Sequence, residues 1–181
     1  MNEMTPRQAT HRVNHLVRRF FSSLAPRKLD DGDEAWVRLS LTPEELSVWQ
    51  RLGQADRAES VAVGYATARE LGPDADPRWI AAALLHDVGK PDARLGPATR
   101  ALATMIAAVV SHGRARSWSS AVGVYVNHDE RGADRLEAAG ARPEAVAWAR
   151  AHHRPDMWRR TGIPPEICAL LARADGETPD H

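Results

Sequence analysis

Residues 80–91 read IAAALLHDVGKP, and the fold turns on how that stretch is read. Six consecutive apolar residues, Ile80 to Leu85, fit a helix buried on most sides rather than one lying on a surface. The run ends abruptly in His86-Asp87, then Gly89-Lys90. An imidazole and a carboxylate are expensive to carry into an interior without partners, and a metal ion suits the pair. A metal at this pair needs further ligands from elsewhere in the chain.

At 181 residues the chain fits one domain with a real core. Acidic and basic residues balance at 24 each, so no global charge argues for DNA, RNA or an acidic partner. The basic residues are 22 Arg and only 2 Lys, Lys28 and Lys90, which makes a lysine beside the His-Asp pair mildly informative. Cys168 is alone, which excludes a disulfide framework and a thiolate metal site. The longest apolar run, residues 101–110, is too short to span a bilayer. With no signal-peptide pattern, the protein reads as cytoplasmic and reduced.

The elements on either side are helical. Val13, Leu16, Val17, Phe20, Phe21 and Leu24 recur at helical spacing beside Arg12, Arg18 and Arg19. That helix suits docking on the domain core, or lying on an anionic membrane. Residues 25–32 read as a connector. Thr42-Pro43-Glu44-Glu45 opens a helix with Thr42 as cap, Pro43 first and Glu45 closing a capping box. Residues 56–71 form the next helix, stopped by Gly72-Pro73, and Asp76-Pro77 caps the buried one. Residues 99–110 read as a helix and 112–120 as a polar loop. A helix then follows His128 and stops at Gly140. Another starts at Pro143 and runs to about His153, residues 154–164 read as a polar connector, and a last helix runs from Pro165 to about Asp175. No segment alternates at period two for long enough to be a strand. The expectation is an all-α fold of some eight or more helices, without internal repeats.

The candidate ligands, in order, are His86-Asp87, His128, His152-His153 and Asp175, each at or near a helix end. Such ends can converge on one interior point in a helical bundle. Taken singly each has a plainer reading: a hydrogen-bonded core histidine, a cap at His128-Asp129, a helix C-terminus complemented by His152-His153, or a surface aspartate in a polar tail. The other histidines are only His11, His15, His112 and His181, so the ordered set carries more weight than its members. Nitrogen and oxygen ligands without sulfur suit Fe, Mn, Mg, Co or Zn and do not select among them. Asp87 has two oxygens with which to bridge two ions.

The order resembles that of the HD-domain metal-dependent phosphohydrolase superfamily, with the ligand sequence of its HDIG and HD-GYP members. AALLHDVGK is similar to the central motif, with Lys90 at the place of a phosphate-contacting lysine. VNHDERGADRLEAAG resembles the stretch that supplies another histidine, His128, followed four residues on by Gly132. AWARAHHRP is similar to the paired-histidine helix end, and ARADGE to the helix carrying the last aspartate. One position departs. The stretch before the pair reads DRAESVAV, with Glu59 where the family places its first metal histidine. A carboxylate there can ligate Fe, Mn or Mg, or the first metal can be lost while the second stays.

The resemblance implies a compact multi-helix HD-domain bundle over residues 41–181, with residues 1–40 as an N-terminal helix and connector packed on it. It implies one or two divalent ions, Fe or Mn favoured, held among Glu59, His86, Asp87, His128, His152, His153 and Asp175. The implied reaction is hydrolysis of a phosphomonoester or phosphodiester, nucleotide-like, by a metal-bridged hydroxide, with Asp87 and Lys90 in catalytic roles. Arg114, Arg116 and Arg131 are candidates for further phosphate contacts. The same ligand order also serves diiron HD-domain oxygenases, and a degenerate, non-catalytic HD protein that binds a ligand or partner is a third possibility. Sequence leaves the substrate and the oligomeric state open.

Overall fold

The computed structural model describes residues 28–90 and 128–176. The N-terminal amphipathic helix, the helix over residues 99–110, the polar loop over 112–120, and Arg114 and Arg116 lie outside the described residues. Within them the chain is all-helical, as expected. The elements are α1 (Asp31–Ser40), α2 (Pro43–Trp49), α3 (Gln54–Leu71), α4 (Pro77–Leu85), α5 (His128–Ala139), α6 (Pro143–Ala151), a 3₁₀ helix (Pro155–Arg160) and α7 (Pro165–Ala174).

α4 is the axis of the bundle. Asp76 caps it by accepting from the backbone N–H of Arg78 at 3.0 Å, and Pro77 stands at its first position. Trp79 and every residue from Ala81 to Leu85 are buried. The apolar run is continuous because α4 meets a core on two faces. Ala81, Leu84, Leu85 and, just beyond the helix, Val88 pack with Val37, Trp49, Val61 and Leu136. Trp79, Ala82 and Ala83 pack with Val63, Trp148, Cys168 and Leu171. The second set follows the i, i+3, i+4 rule, which carries His86 onto the same inner side. Among the described residues, α1, α2, α3, α6 and α7 lie closest against α4.

Two departures from the sequence reading concern short elements. Residues 31–32 belong not to a connector but to α1, which has its own capping box: Asp30 Oδ1 accepts from Asp33 N–H at 2.8 Å, and Asp33 Oδ2 from Asp30 N–H at 3.1 Å. Aspartate in place of glutamate at the third position hides that signature. Val37 then sits fully in the core, and Trp36 stacks on Tyr65 with ring centroids 4.2 Å apart. Residues 155–160, read as connector, form the 3₁₀ helix, started by Pro155 and tied back by Trp158 Nε1–H donating to Ala151 O at 3.1 Å. α6 also ends at Ala151, leaving His152 as its C-cap.

The predicted capping box of α2 is present. Glu45 N–H donates to Thr42 Oγ1 and Thr42 N–H to Glu45 Oε2. Its glutamate has a second task. Glu45 is fully buried and accepts from the backbone N–H of Arg142 at 3.0 Å and from its guanidinium at 2.9 and 2.5 Å, while Arg142 also reaches Ser40 O. This cluster ties α1 and α2 to the turn between α5 and α6. Burial opposes ionisation of Glu45, but the hydrogen bonds and charge of Arg142 outweigh it and hold the carboxyl below its usual value of 4.5. The unfolded chain binds that proton more readily, so the pair's stabilisation is complete above pH 4.5 and fades as pH falls through the folded value. Glu45→Gln should destabilise the fold by roughly 3 kcal/mol, the lower end for a broken buried pair because Arg142 keeps some solvent. Urea titrations of both proteins at pH 7 and pH 4 check it: the gap between them should narrow at the lower pH.

Candidate metal centre

His86 and Asp87 follow directly on α4, in a tight turn closed by Lys90 N–H donating to Asp87 O at 3.1 Å. The turn places His86, Asp87 and Lys90 inside the protein, all nine-tenths or more buried. It is pinned from α5 by the Arg135 guanidinium, which donates to Val88 O at 2.7 Å. Gly89 allows the approach of α5 itself. A Cβ on Gly89 would lie 1.9 Å from His128 O and 2.8 Å from Gly132 N, and one on Gly132 would lie 3.0 Å from Gly89 N. The spacing His128-x-x-x-Gly132 therefore has a packing cause: one helical turn that presents the imidazole and leaves room for the His-Asp turn.

Three helix ends meet there. His128 begins α5, His152 and His153 follow α6, and Asp175 follows α7. Asp87 stands between them with its two oxygens facing different groups. Oδ1 lies 3.0 Å from His128 Nε2 and 3.7 Å from His152 Nε2. Oδ2 lies 3.1 Å from His86 Nε2 and in contact with Lys90 Nζ. His86 Nε2 is also 3.4 Å from Asp175 Oδ1, and Lys90 Nζ is 3.6 Å from Glu59 Oε2. Asp87, His128, His152 and His153 each offer one ligand atom, all within 4.8 Å of one another, and His153 is the most exposed of the four. Every predicted ligand is thus drawn to one region. Four form a compact donor set, while His86, Glu59 and Asp175 gather with Lys90 around the other oxygen of Asp87. Arg131 is exposed on α5.

The donor set has the features a divalent ion requires. His152 Nδ1 lies 2.9 Å from Ala149 O, so that nitrogen carries the proton and Nε2 presents its lone pair inward. That Nε2 is buried and makes no hydrogen bond. Burial first, and then the neighbouring His153 and His86, lower the His152 pKa to about 4, so the ring is neutral at pH 7, as metal binding demands. Burial opposes charge on Asp87, yet Lys90 and His86 hold it well below the usual carboxylate range. Burial also works against a charged His86, but Asp87 and Asp175 outweigh it and raise its pKa well above 6.5.

One residue near the site, Arg154, has no signal in the sequence, and another, Asp129, reads there mainly as a cap. Arg154, next after the histidine pair, directs Nε to Asp129 Oδ2 at 3.7 Å and donates from Nη2 to Arg150 O at 2.5 Å, so it braces the start of α5 against the end of α6. Asp129, weighed mainly as a cap, is buried in the first turn of α5 and accepts from Glu130 N–H at 2.9 Å. In a chain with 22 arginines nothing marked Arg154 out.

Compared with protein families, residues 58–179 match the HD domain. The chain belongs to the HD domain family. That span takes in Glu59 and every candidate ligand. HD domains are largely metal-dependent phosphohydrolases, and the His/Asp cluster at the ends of α4 and α6 and the start of α5 is a candidate metal site of the kind typical of them. No curated protein and no solved structure matches the chain. No helix among the described residues of this HD domain is long and apolar enough to cross a membrane.

Proposed function

We propose that this HD domain hydrolyses a small phosphomonoester or phosphodiester, nucleotide-like in class, at a divalent ion held by Asp87, His128, His152 and His153. The observation that supports it is the convergence of four nitrogen and oxygen donors within 4.8 Å, one of them a buried imidazole nitrogen without a hydrogen bond. Fe or Mn suits such a set. A bound ion supplies two things, a water of lowered pKa and polarisation of the phosphoryl oxygens.

The chain's own residues do the rest. Ala149 O fixes the His152 tautomer, and the close packing of Gly89 on His128 O fixes where the imidazole of His128 sits. Asp87 is ionised and shared between two groups of neighbours. Lys90 places a positive charge beside it, suited to the phosphoryl oxygens as their charge grows in the transition state. The nucleotide-like substrate class rests on family likeness. Arg131 remains a candidate for a further phosphate group.

The test is a panel of aryl phosphate mono- and diesters and nucleotides, assayed with Mn(II) or Fe(II) in air and under anaerobiosis. Ester hydrolysis that needs the metal and not dioxygen is expected, read as phosphate from the monoesters and as the released alcohol from the diesters. Turnover only in air would instead make this a diiron oxygenase, and metal binding without turnover a binding protein.

A further inference from the structure

We propose that this HD domain holds a single divalent ion, and that the Lys90 ammonium occupies the place where a second would sit. The inference rests on the reading that Asp87, His128, His152 and His153 bind metal. What it adds is the role of Glu59 and Lys90.

Asp87 is the divider. Its Oδ1 faces the imidazoles of His128 and His152, on the side of the donor set. Its Oδ2 faces His86 and is in contact with Lys90 Nζ. An ion bridged by Asp87 would need both oxygens, and Oδ2 already carries a cation. Lys90 arrives there by local geometry, because the turn bonded from Lys90 N–H to Asp87 O brings the side chain back over the carboxylate three residues earlier. The ammonium is more than nine-tenths buried, so it needs compensating charge beyond one carboxylate that is itself shared.

Glu59 provides that charge. It comes from α3, its Oε2 is 3.6 Å from Nζ, and its side chain is about two-thirds covered. A neutral imidazole at position 59 would give an ion a donor but would give an ammonium no countercharge. A carboxylate suits the ammonium. The residue at 59 and the lysine at 90 are thus matched to each other, with the ammonium between the carboxylates of Glu59 and Asp87. His86 completes this side without a metal: its Nδ1 lies 2.8 Å from Ala83 O and its Nε2 between the carboxylates of Asp87 and Asp175. One mobile and one fixed cation would flank the substrate phosphate, instead of two ions.

The experiment is metal content by mass spectrometry, with electron paramagnetic resonance, on full-length protein loaded with Mn(II) and freed of excess. One Mn per chain with the six-line spectrum of an isolated ion is expected. Two per chain with an exchange-coupled spectrum overturns the inference while leaving the metal-centre reading intact. None overturns both. The double variant Glu59→His with Lys90→Ala should rise to two Mn per chain with a coupled spectrum. A folded double variant that stays at one shows that Lys90 was not holding a metal's place. Should the double variant not fold, the wild-type count and spectrum decide alone.

Discussion

Asp87→Asn is expected to lose the metal and the activity together while the chain stays folded. Asp87 touches both groups of the site, with Oδ1 toward His128 and His152 and Oδ2 toward His86 and Lys90. Losing a group that merely orients a metal ligand costs about 10- to 100-fold in affinity or activity, so losing the shared ligand should exceed about 100-fold in both. Asparagine keeps the shape and one acceptor oxygen but removes the negative charge that balances a cation on either side. Alanine would do more: it would take from the buried Lys90 the carboxylate it touches and cost stability on the order of 3–5 kcal/mol. Metal titration by calorimetry together with thermal unfolding separates the two effects. Full metal affinity in a folded Asp87→Asn variant would refute the shared-ligand role.

Gly89→Ala should be nearly as damaging, for a reason unconnected with charge. The added methyl would stand 1.9 Å from His128 O and 2.8 Å from both His128 C and Gly132 N. These are backbone atoms in or beside a helix, with no rotamer to change. Overpacking that side chains can absorb costs about 1–3 kcal/mol. Here α5 must move off the His-Asp turn, so the cost should lie at or above that range. The movement also carries His128 Nε2 away from Asp87 Oδ1, now at 3.0 Å, so metal affinity falls with stability. Gly132→Ala is the control. Its Cβ meets Gly89 N at 3.0 Å and Val88 Cγ2 at 3.6 Å, and the roughly 0.8–1 kcal/mol gain of alanine over glycine in a helix offsets part of that. Thermal unfolding should place Gly89→Ala well below Gly132→Ala; equal midpoints would show that the two backbones can separate at little cost.

The helices legible from sequence were those with strong punctuation. Thr42-Pro43-x-Glu45 and Asp76-Pro77 each name a start, and Gly72 and Gly140, both at positive φ, each name a stop. α1 escaped because its capping box is built from two aspartates, and the 3₁₀ helix because six residues are too few to show a helical period. At the site, residue identity announced chemistry but not pairing. Order alone indicated that His86, Asp87, His128, His152, His153 and Asp175 belong together. Which oxygen of Asp87 faces which partner, and that Lys90 turns back onto Asp87 toward Glu59, depend on distances between α3, the turn after α4 and α5, which no local pattern encodes. The buried Glu45–Arg142 cluster was hidden in the same way: the capping glutamate was visible, its partner 97 residues later was not.

The most direct test of the metal centre is anomalous diffraction from crystals of this HD domain grown with Mn(II), recorded on both sides of the manganese edge. An anomalous peak bounded by Asp87 Oδ1 and imidazole nitrogens of His128, His152 and His153 is expected, and Asp87→Asn should remove it. A manganese-loaded crystal with no peak among those four residues, or with its peak on other ligands, would contradict that assignment.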